Sequence, residues 1–202
     1  MIVHGILLAA GRGERFGGPK VQATLGGRPL WVWALDALQA GGVDEVIVVG
    51  PIPGGIPGGD RRRDSVAAGL SALPPDATHV VIHDAARPLA GSELVTSVIA
   101  RLGVGDVDGV VPALDVTDTV KRVGDGVVEG TVERDGLATV QTPQGFVIES
   151  LRAAHAAHPG DAPDDAYLVE LWGGRVAVVA GDPANLKVTR PGDLELLTRM
   201  LP

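Results

Sequence analysis

Ile6-Leu-Leu-Ala-Ala-Gly-Arg-Gly-Glu-Arg-Phe-Gly-Gly-Pro-Lys-Val-Gln22 starts inside an apolar run and ends as a cationic loop. From Ile2 to Ala9 only His4 breaks the apolar character, which predicts a strand buried on both faces. Gly11 and Gly13 then let the backbone turn sharply and bring amide N–H groups close to a ligand. Arg12, Arg15 and Lys20 load the same loop with positive charge. A buried strand running into a glycine-rich, cationic loop is how α/β proteins hold phosphates at the carboxyl edge of a sheet.

Two known phosphate loops nearly match, and each fails on a named residue. Gly13 to Gly18 has Walker spacing, but Pro19 precedes Lys20 and Val21 follows it. Proline supplies no amide to the cradle, and no hydroxyl is placed for magnesium. A dinucleotide fingerprint needs its third glycine one place earlier and an acid closing the second strand; that strand ends Val49-Gly50-Pro51. The stretch instead resembles the triphosphate loop of the sugar-nucleotide and alditol-phosphate nucleotidyltransferases: apolar strand, A-A-G, G-x-R, then P-K.

Outward from this loop, strands alternate with helices. Helices are expected over Leu30–Ala40 (Pro29 at its first position), Asp64–Leu73, Ser92–Leu102 (Ser92 as N-cap), Gly145–His158, Asp165–Leu171 and Asp193–Met200. Strands are expected at Val46–Val49, Val80–His83, Val107–Pro112, Ala138–Gln141 and Val176–Ala180. This order predicts an α/β three-layer sandwich with a mainly parallel, Rossmann-like mixed sheet, in one domain over residues 1–202. Thr119–Val132 is different: β-branched and charged residues alternate around Gly124-Asp125-Gly126, a hairpin signature polar on both faces. It is expected to project as an arm, within about 115–142.

Composition narrows the function. The chain has 202 residues, 45% hydrophobic, with no apolar span of membrane length and no export signal at its start, so a soluble cytoplasmic protein is expected. Cysteine is absent, which excludes disulfides and thiolate metal sites. A net charge of −8 argues against a nucleic-acid partner, and the lack of a membrane-length apolar span against a membrane one. Yet the basic residues clump in loops, at Arg12–Lys20, Arg61–Arg63, Arg87 and Lys187–Arg190, which suits a small anionic ligand. Lysine occurs only as Lys20, Lys121 and Lys187 in an arginine-rich chain, pointing to positions that need a compact point charge.

Three further stretches look like parts of one site. In Gly58-Gly59-Asp60-Arg61-Arg62-Arg63-Asp64-Ser65, glycine amides, Asp60 and the Ser65 hydroxyl offer donors and acceptors for a cytosine edge at a helix start. Three adjacent arginines are, taken alone, more often a solvated surface. His83-Asp84-Ala85-Ala86-Arg87-Pro88 puts a carboxylate at the end of a parallel strand, with Arg87 as its expected ion-pair partner and His83 in a structural role. In Asn185-Leu186-Lys187-Val188-Thr189-Arg190-Pro191, the lysine points back across the sheet edge.

Together, A-A-G-R-G-x-R, P-K, G-G-D-x-R-x-x-S-V, H-D-A-A-R-P, T-V-x-R with T-P-Q, D-D-A and N-L-K-V-T-R-P resemble the 2-C-methyl-D-erythritol 4-phosphate cytidylyltransferases. The resemblance spans nearly the whole chain. It implies a CMP transfer from CTP to that acceptor. Arg15, Lys20 and Lys187 would be catalytic. Ala9, Ala10, Gly11, Gly13, Gly59, Asp60, Arg62, Ser65, Asp84 and Ala85 would bind nucleotide. Asp84, Arg87, Thr131, Thr142 and Lys187 would bind the acceptor, with Thr131 reaching over from a twin subunit in a homodimer. Magnesium (Mg2+) would be held mainly by the CTP phosphates, with no certain protein ligand. This chain departs from the family in three places: the Arg15–Lys20 link is short, Pro51–Gly58 stands where a helix and strand are usual, and Ile148 stands where some members carry arginine.

A phosphate dianion is already a nucleophile at neutral pH, so the inferred chemistry needs positioning and charge neutralisation rather than a base. Rival readings are a ribitol 5-phosphate cytidylyltransferase, a molybdenum-cofactor guanylyltransferase, or a non-catalytic nucleotide-binding homologue. The guanylyltransferase is disfavoured by the missing A-G-G and K-D pair. The non-catalytic homologue is disfavoured because both loop lysines are retained.

Overall fold

The computed structural model describes residues 1–11, 13–18 and 20–201; Arg12 and Pro19 of the cationic loop, and Pro202, lie outside the described residues. The chain runs β1 (Val3–Leu8), a minor antiparallel pair β2 (Thr24–Leu25) and β3 (Arg28–Pro29), α1 (Leu30–Ala40), β4 (Glu45–Val49), α2 (Arg62–Ala72) and β5 (His79–Asp84). It continues through α3 (Ser92–Leu102), β6 (Gly109–Asp115), β7 (Val120–Gly124), β8 (Val127–Val132), β9 (Ala138–Val140) and β10 (Gln144–Val147). It closes with α4 (Ile148–Ala157), α5 (Asp165–Trp172), β11 (Val176–Ala180) and α6 (Pro191–Met200).

The main sheet has the order β11-β6-β10-β5-β1-β4, with β9 added beside β6. β1 pairs in parallel with β4 and β5, and β11 with β6, whereas β10 runs antiparallel between β5 and β6. Both faces are covered, which explains the continuous apolar runs. Ile6, Val80 and Ile82 pack with Val66, Leu151 and Leu168 of α2, α4 and α5. Leu7 and Val81 face the other way, onto Ala34 and Leu38 of α1 and Val95 of α3. The result is the expected three-layer α/β sandwich with a mainly parallel sheet. A separate cluster of Leu25, Leu30, Val188 and Leu197 seats α6 on the β2–β3 pair and the start of α1.

Some expectations change. Residues 144–147 form β10 rather than the start of a helix. A Cβ on Gly145 would lie 2.7 Å from a Val98 methyl, and Phe146 is fully buried, so the gap between β5 and β6 selects a strand there. The N-cap of α3 is Gly91, and Ser92 is its first helical residue. Pro29 likewise flanks α1 as its N-cap. Pro51–Gly58 retains a single parallel bridge, Val49 to Ile56. Ile148 opens α4 with its side chain in the core, away from the sheet edge.

β7 and β8 form their own two-stranded sheet. Asp125 and Gly126 both take positive φ, 48° and 77°, the pattern of a two-residue hairpin turn. Val123 and Val128 face each other in register, and with Val127 they are well exposed.

Candidate active site

The carboxyl ends of β1, β4 and β5 meet at one edge, and the cationic loop folds over it. Ala9 N–H donates to the Val49 carbonyl at 2.7 Å, tying the start of the loop to β4. The loop then coils round a single carbonyl: Gly13 O accepts from the amides of Phe16, Gly17 and Gly18 at 2.8, 3.0 and 3.2 Å. Gly13 has φ 65°, and a Cβ there would fall 1.9 Å from Gly18 O, so no other residue fits. Lys20 opens a short 3-10 turn anchored by buried Val21, and its Nζ donates to Val188 O at 2.9 Å. Burial lowers the Lys20 pKa below its ordinary value, and repulsion from Lys187 and Arg15 adds to this, with Asp84 opposing.

The three arginines divide their labour instead of forming a solvated run. Arg61 flanks α2 and makes a capping box with Asp64, whose carboxylate accepts from the Arg61 amide at 3.2 Å and from its side chain at 2.8 and 2.9 Å. Arg63 is buried and donates to the carbonyls of His155, His158 and Gly160, clasping the end of α4. Arg62, between them, turns inward, placing Nη1 2.6 Å from Asp165 and Nε 3.6 Å from Asp84. Burial alone would lower its pKa, but Asp165 and Asp84 outweigh that and raise it. Ahead of the helix, Gly59 N–H donates to Ser65 Oγ at 3.1 Å. A Cβ on Gly59 would strike the Asp64 side chain at 2.4 Å, so glycine lets this backbone approach the helix.

At the end of β5, Asp84 pairs with Lys187 at 2.6 Å and with Arg62, not with Arg87 as the sequence suggested. Burial raises its carboxyl pKa, but Arg62 and then Lys187 more than offset this and hold it well below the usual carboxylate range. Arg87 turns instead to the Asn185 carbonyl at 2.7 Å. That contact and the Val188 amide to Ala86 O at 2.8 Å pin the loop carrying Lys187. Asn185 adds a bond from Nδ2 to Thr142 O at 2.8 Å.

His83 has partners that its sequence context did not reveal. Nε2 donates to Arg87 O at 3.2 Å, and Nδ1 lies 3.0 Å from Thr142 Oγ1. That hydroxyl also accepts the Asp84 amide at 3.1 Å. Burial lowers the His83 pKa to about 4. The neutral ring therefore accepts from Thr142 at Nδ1 and braces the turn that presents Asp84.

These groups enclose a cavity of about 220 Å³. Of the residues expected at the site, Ala10, Gly11, Lys20, Gly59, Asp60, Arg62, Ser65, Asp84 and Lys187 line it together. A more open trough of about 400 Å³ shares Gly11 and Lys20 and adds Gly13, Glu14, Arg15 and Thr189. Ala9 and Ala85 are buried and do not line the cavity, Thr142 braces the Asp84 amide, Arg87 holds the Asn185 carbonyl, and Thr131 lies on the β7–β8 hairpin. Leu8, Val21, Arg61 and Ala86 of the lining were not anticipated, nor was the supporting role of Asp165, although D-D-A was visible as a motif. Among the described residues, no cluster of three or more His, Cys, Asp or Glu is arranged to hold a metal.

The cationic loop, the Gly59–Ser65 corner and the Lys187–Asp84 pair share this one edge. The family model described as IspD: 2-C-methyl-D-erythritol 4-phosphate cytidylyltransferase matches residues 55–201. The chain belongs to this cytidylyltransferase family. It is 45% identical over 211 residues to the 2-C-methyl-D-erythritol 4-phosphate cytidylyltransferase of Rhodococcus jostii (strain RHA1), covering 96% of this chain and 92% of that one. It is 41% identical to a bifunctional enzyme IspD/IspF of Granulibacter bethesdensis, spanning 57% of that longer protein. The crystal structure of the cytidylyltransferase from Thermus thermophilus superposes with a TM-score of 0.81 at 35% identity, covering 96% of both chains. Among the described residues of this family member, no helix is long and apolar enough to cross a membrane.

Proposed function

We propose that this cytidylyltransferase moves the CMP group of CTP onto 2-C-methyl-D-erythritol 4-phosphate. The products are 4-diphosphocytidyl-2-C-methyl-D-erythritol and pyrophosphate, in isoprenoid precursor biosynthesis in the cytoplasm. The observation that carries the reading is that Lys20, Lys187 and Asp84 share one cavity with Gly59 and Ser65. A nucleotide then spans the edge. Its base lies at Gly59, Asp60 and Ser65, its α-phosphate near Lys187, and its β- and γ-phosphates in the trough beside Lys20 and Arg15. The acceptor's phosphate oxygen forms a bond to the α-phosphorus while the bond from that phosphorus to the bridging oxygen breaks, and pyrophosphate leaves with the electron pair. No residue needs to remove a proton. Lys20 and Lys187 neutralise charge where it develops, with the Asp84 carboxylate holding Lys187 still. Magnesium, in this reading, arrives on the triphosphate and is held mainly by its phosphates.

Thr142 supports the acceptor side through Asp84 and Arg87 through the loop that carries Lys187, and Thr131 completes it from the other subunit of a homodimer. The test is pyrophosphate release with CTP against a panel of alditol phosphates. 2-C-methyl-D-erythritol 4-phosphate is expected to be the best acceptor, and UTP to be about 100-fold poorer than CTP, because a uracil carbonyl leaves the base-reading acceptors unpaired. Equal or better kcat/KM with ribitol 5-phosphate would overturn the acceptor assignment. No pyrophosphate with any acceptor would overturn the activity.

A further inference from the structure

Asp165, the first residue of α5, is fully buried and does not line the cavity. One carboxylate oxygen accepts from Arg62 Nη1 at 2.6 Å, and the other lies 3.3 Å from His155 Nε2 on α4. A strut holding helices together would need no more than that. What sets this ion pair apart is the other edge of the same guanidinium. Arg62 Nε faces Asp84 Oδ1 at 3.6 Å, and Asp84 Oδ2 holds Lys187 Nζ at 2.6 Å. Asp165, Arg62, Asp84 and Lys187 thus form a row of alternating charge drawn from α5, α2, β5 and the loop before α6. Arg62, Asp84 and Lys187 of this row line the cavity.

The row divides the partners evenly, with one carboxylate on each side of Arg62. Without the Asp165 charge, Arg62 turns wholly onto Asp84 and competes there with Lys187. Lys187 is the member most easily displaced, since its side chain is 41% exposed and its ion pair is with Asp84. A shift of about 1 Å in a charge that must meet a reacting phosphate costs on the order of 100-fold in rate.

We propose that Asp165 is a positioning residue for the transfer reaction: it occupies the far edge of Arg62, leaving Asp84 to fix Lys187. This rests on the functional reading above. It also gives the D-D-A motif a role in turnover, although Asp165 touches no substrate.

The test is a double-mutant cycle in kcat between Asp165→Asn and Arg62→Gln. Asp165→Asn is expected to lower kcat about 100-fold, with KM for CTP changed less than about threefold, because the base-reading corner is untouched. In the Arg62→Gln background, Asp165→Asn should cost less than about twofold more, since its one route to the site is gone. A residue that merely packs α5 would cost the same in both backgrounds, and an additive cycle overturns the proposal. Should Asp165→Asn fail to fold with a buried arginine left unbalanced, Arg62→Gln against the double variant decides alone, because neither holds that charge: equal kcat supports the role and a further loss refutes it. A wild-type chain without turnover would sink the functional reading and this inference together, whereas additivity in an active chain sinks the inference by itself.

Discussion

Replacing Lys20 by methionine should lower activity and stability unequally, and the sign of the difference follows from the surroundings of the ammonium. The side chain donates a hydrogen bond to Val188 O at 2.9 Å, while burial, Lys187 and Arg15 all work against its charge and Asp84 and Asp193 work for it. Its pKa is lowered on folding, so the folded chain holds that proton less tightly than the unfolded one. The charge therefore costs stability at neutral pH instead of supplying it. Methionine keeps the length, removes the charge and forfeits one hydrogen bond of about 1 kcal/mol. Those two effects oppose, so the denaturant midpoint is expected to stay level or rise slightly. Turnover has no such compensation. Removing one donor aimed at developing charge costs about 3 kcal/mol, or roughly 150-fold in kcat. The assay is pyrophosphate release at saturating CTP and acceptor, beside urea unfolding of the same preparation. A Lys20→Met chain that keeps kcat within about threefold, or loses several kcal/mol of stability along with its activity, would refute the reasoning. In the second case Lys20 would be a strut for the Val188 loop.

Two other outcomes are expected. His83 is neutral when folded, with its pKa lowered to about 4 from 6.5, so the unfolded chain takes up the proton first as pH falls. The stability it contributes is complete above pH 6.5 and is lost between there and about 4, amounting to about 3 kcal/mol. Asp84, whose pKa is also lowered, gives way only below 3.8. Urea midpoints at pH 7 and 4.5 should therefore diverge more for the wild type than for His83→Gln, and equal slopes would remove His83 from the account. For the arm, the exposed Val123, Val127 and Val128 should be covered by a twin chain. Replacing Lys121–Glu129 by a short glycine turn is expected to give a monomer in light scattering with at least about tenfold weaker acceptor affinity, and a dimer with unchanged affinity would exclude the arm from both roles.

Where local chemistry has one solution, the sequence by itself was decisive. Apolar runs such as Val3–Leu8 and Val80–Ile82, interrupted only by His4, read as strands buried on both sides. Asp125-Gly126 turns a hairpin because few other pairs accept two positive φ values. Gly13, Lys20, Gly59, Ser65, Asp84 and Lys187 stood out because phosphate and base recognition restrict which residue types fit at a strand end. Tertiary structure decided whatever depends on partners distant in the chain. Gly145–Val147 reads equally well as helix, and becomes a strand because a slot is open between β5 and β6. Arg61, Arg62 and Arg63 are the same residue three times, and they separate into cap, site and clasp only because successive positions on a helix face different directions. Asp84 had a nearby arginine three residues on, yet it pairs with Lys187 and Arg62. Arg87 is drawn off by the Asn185 carbonyl, and the folded sheet edge brings the other two cations to the carboxylate. Asp165 lies 103 residues from Arg62 along the chain, so only the packing of α5 beside α2 and α4 could join them.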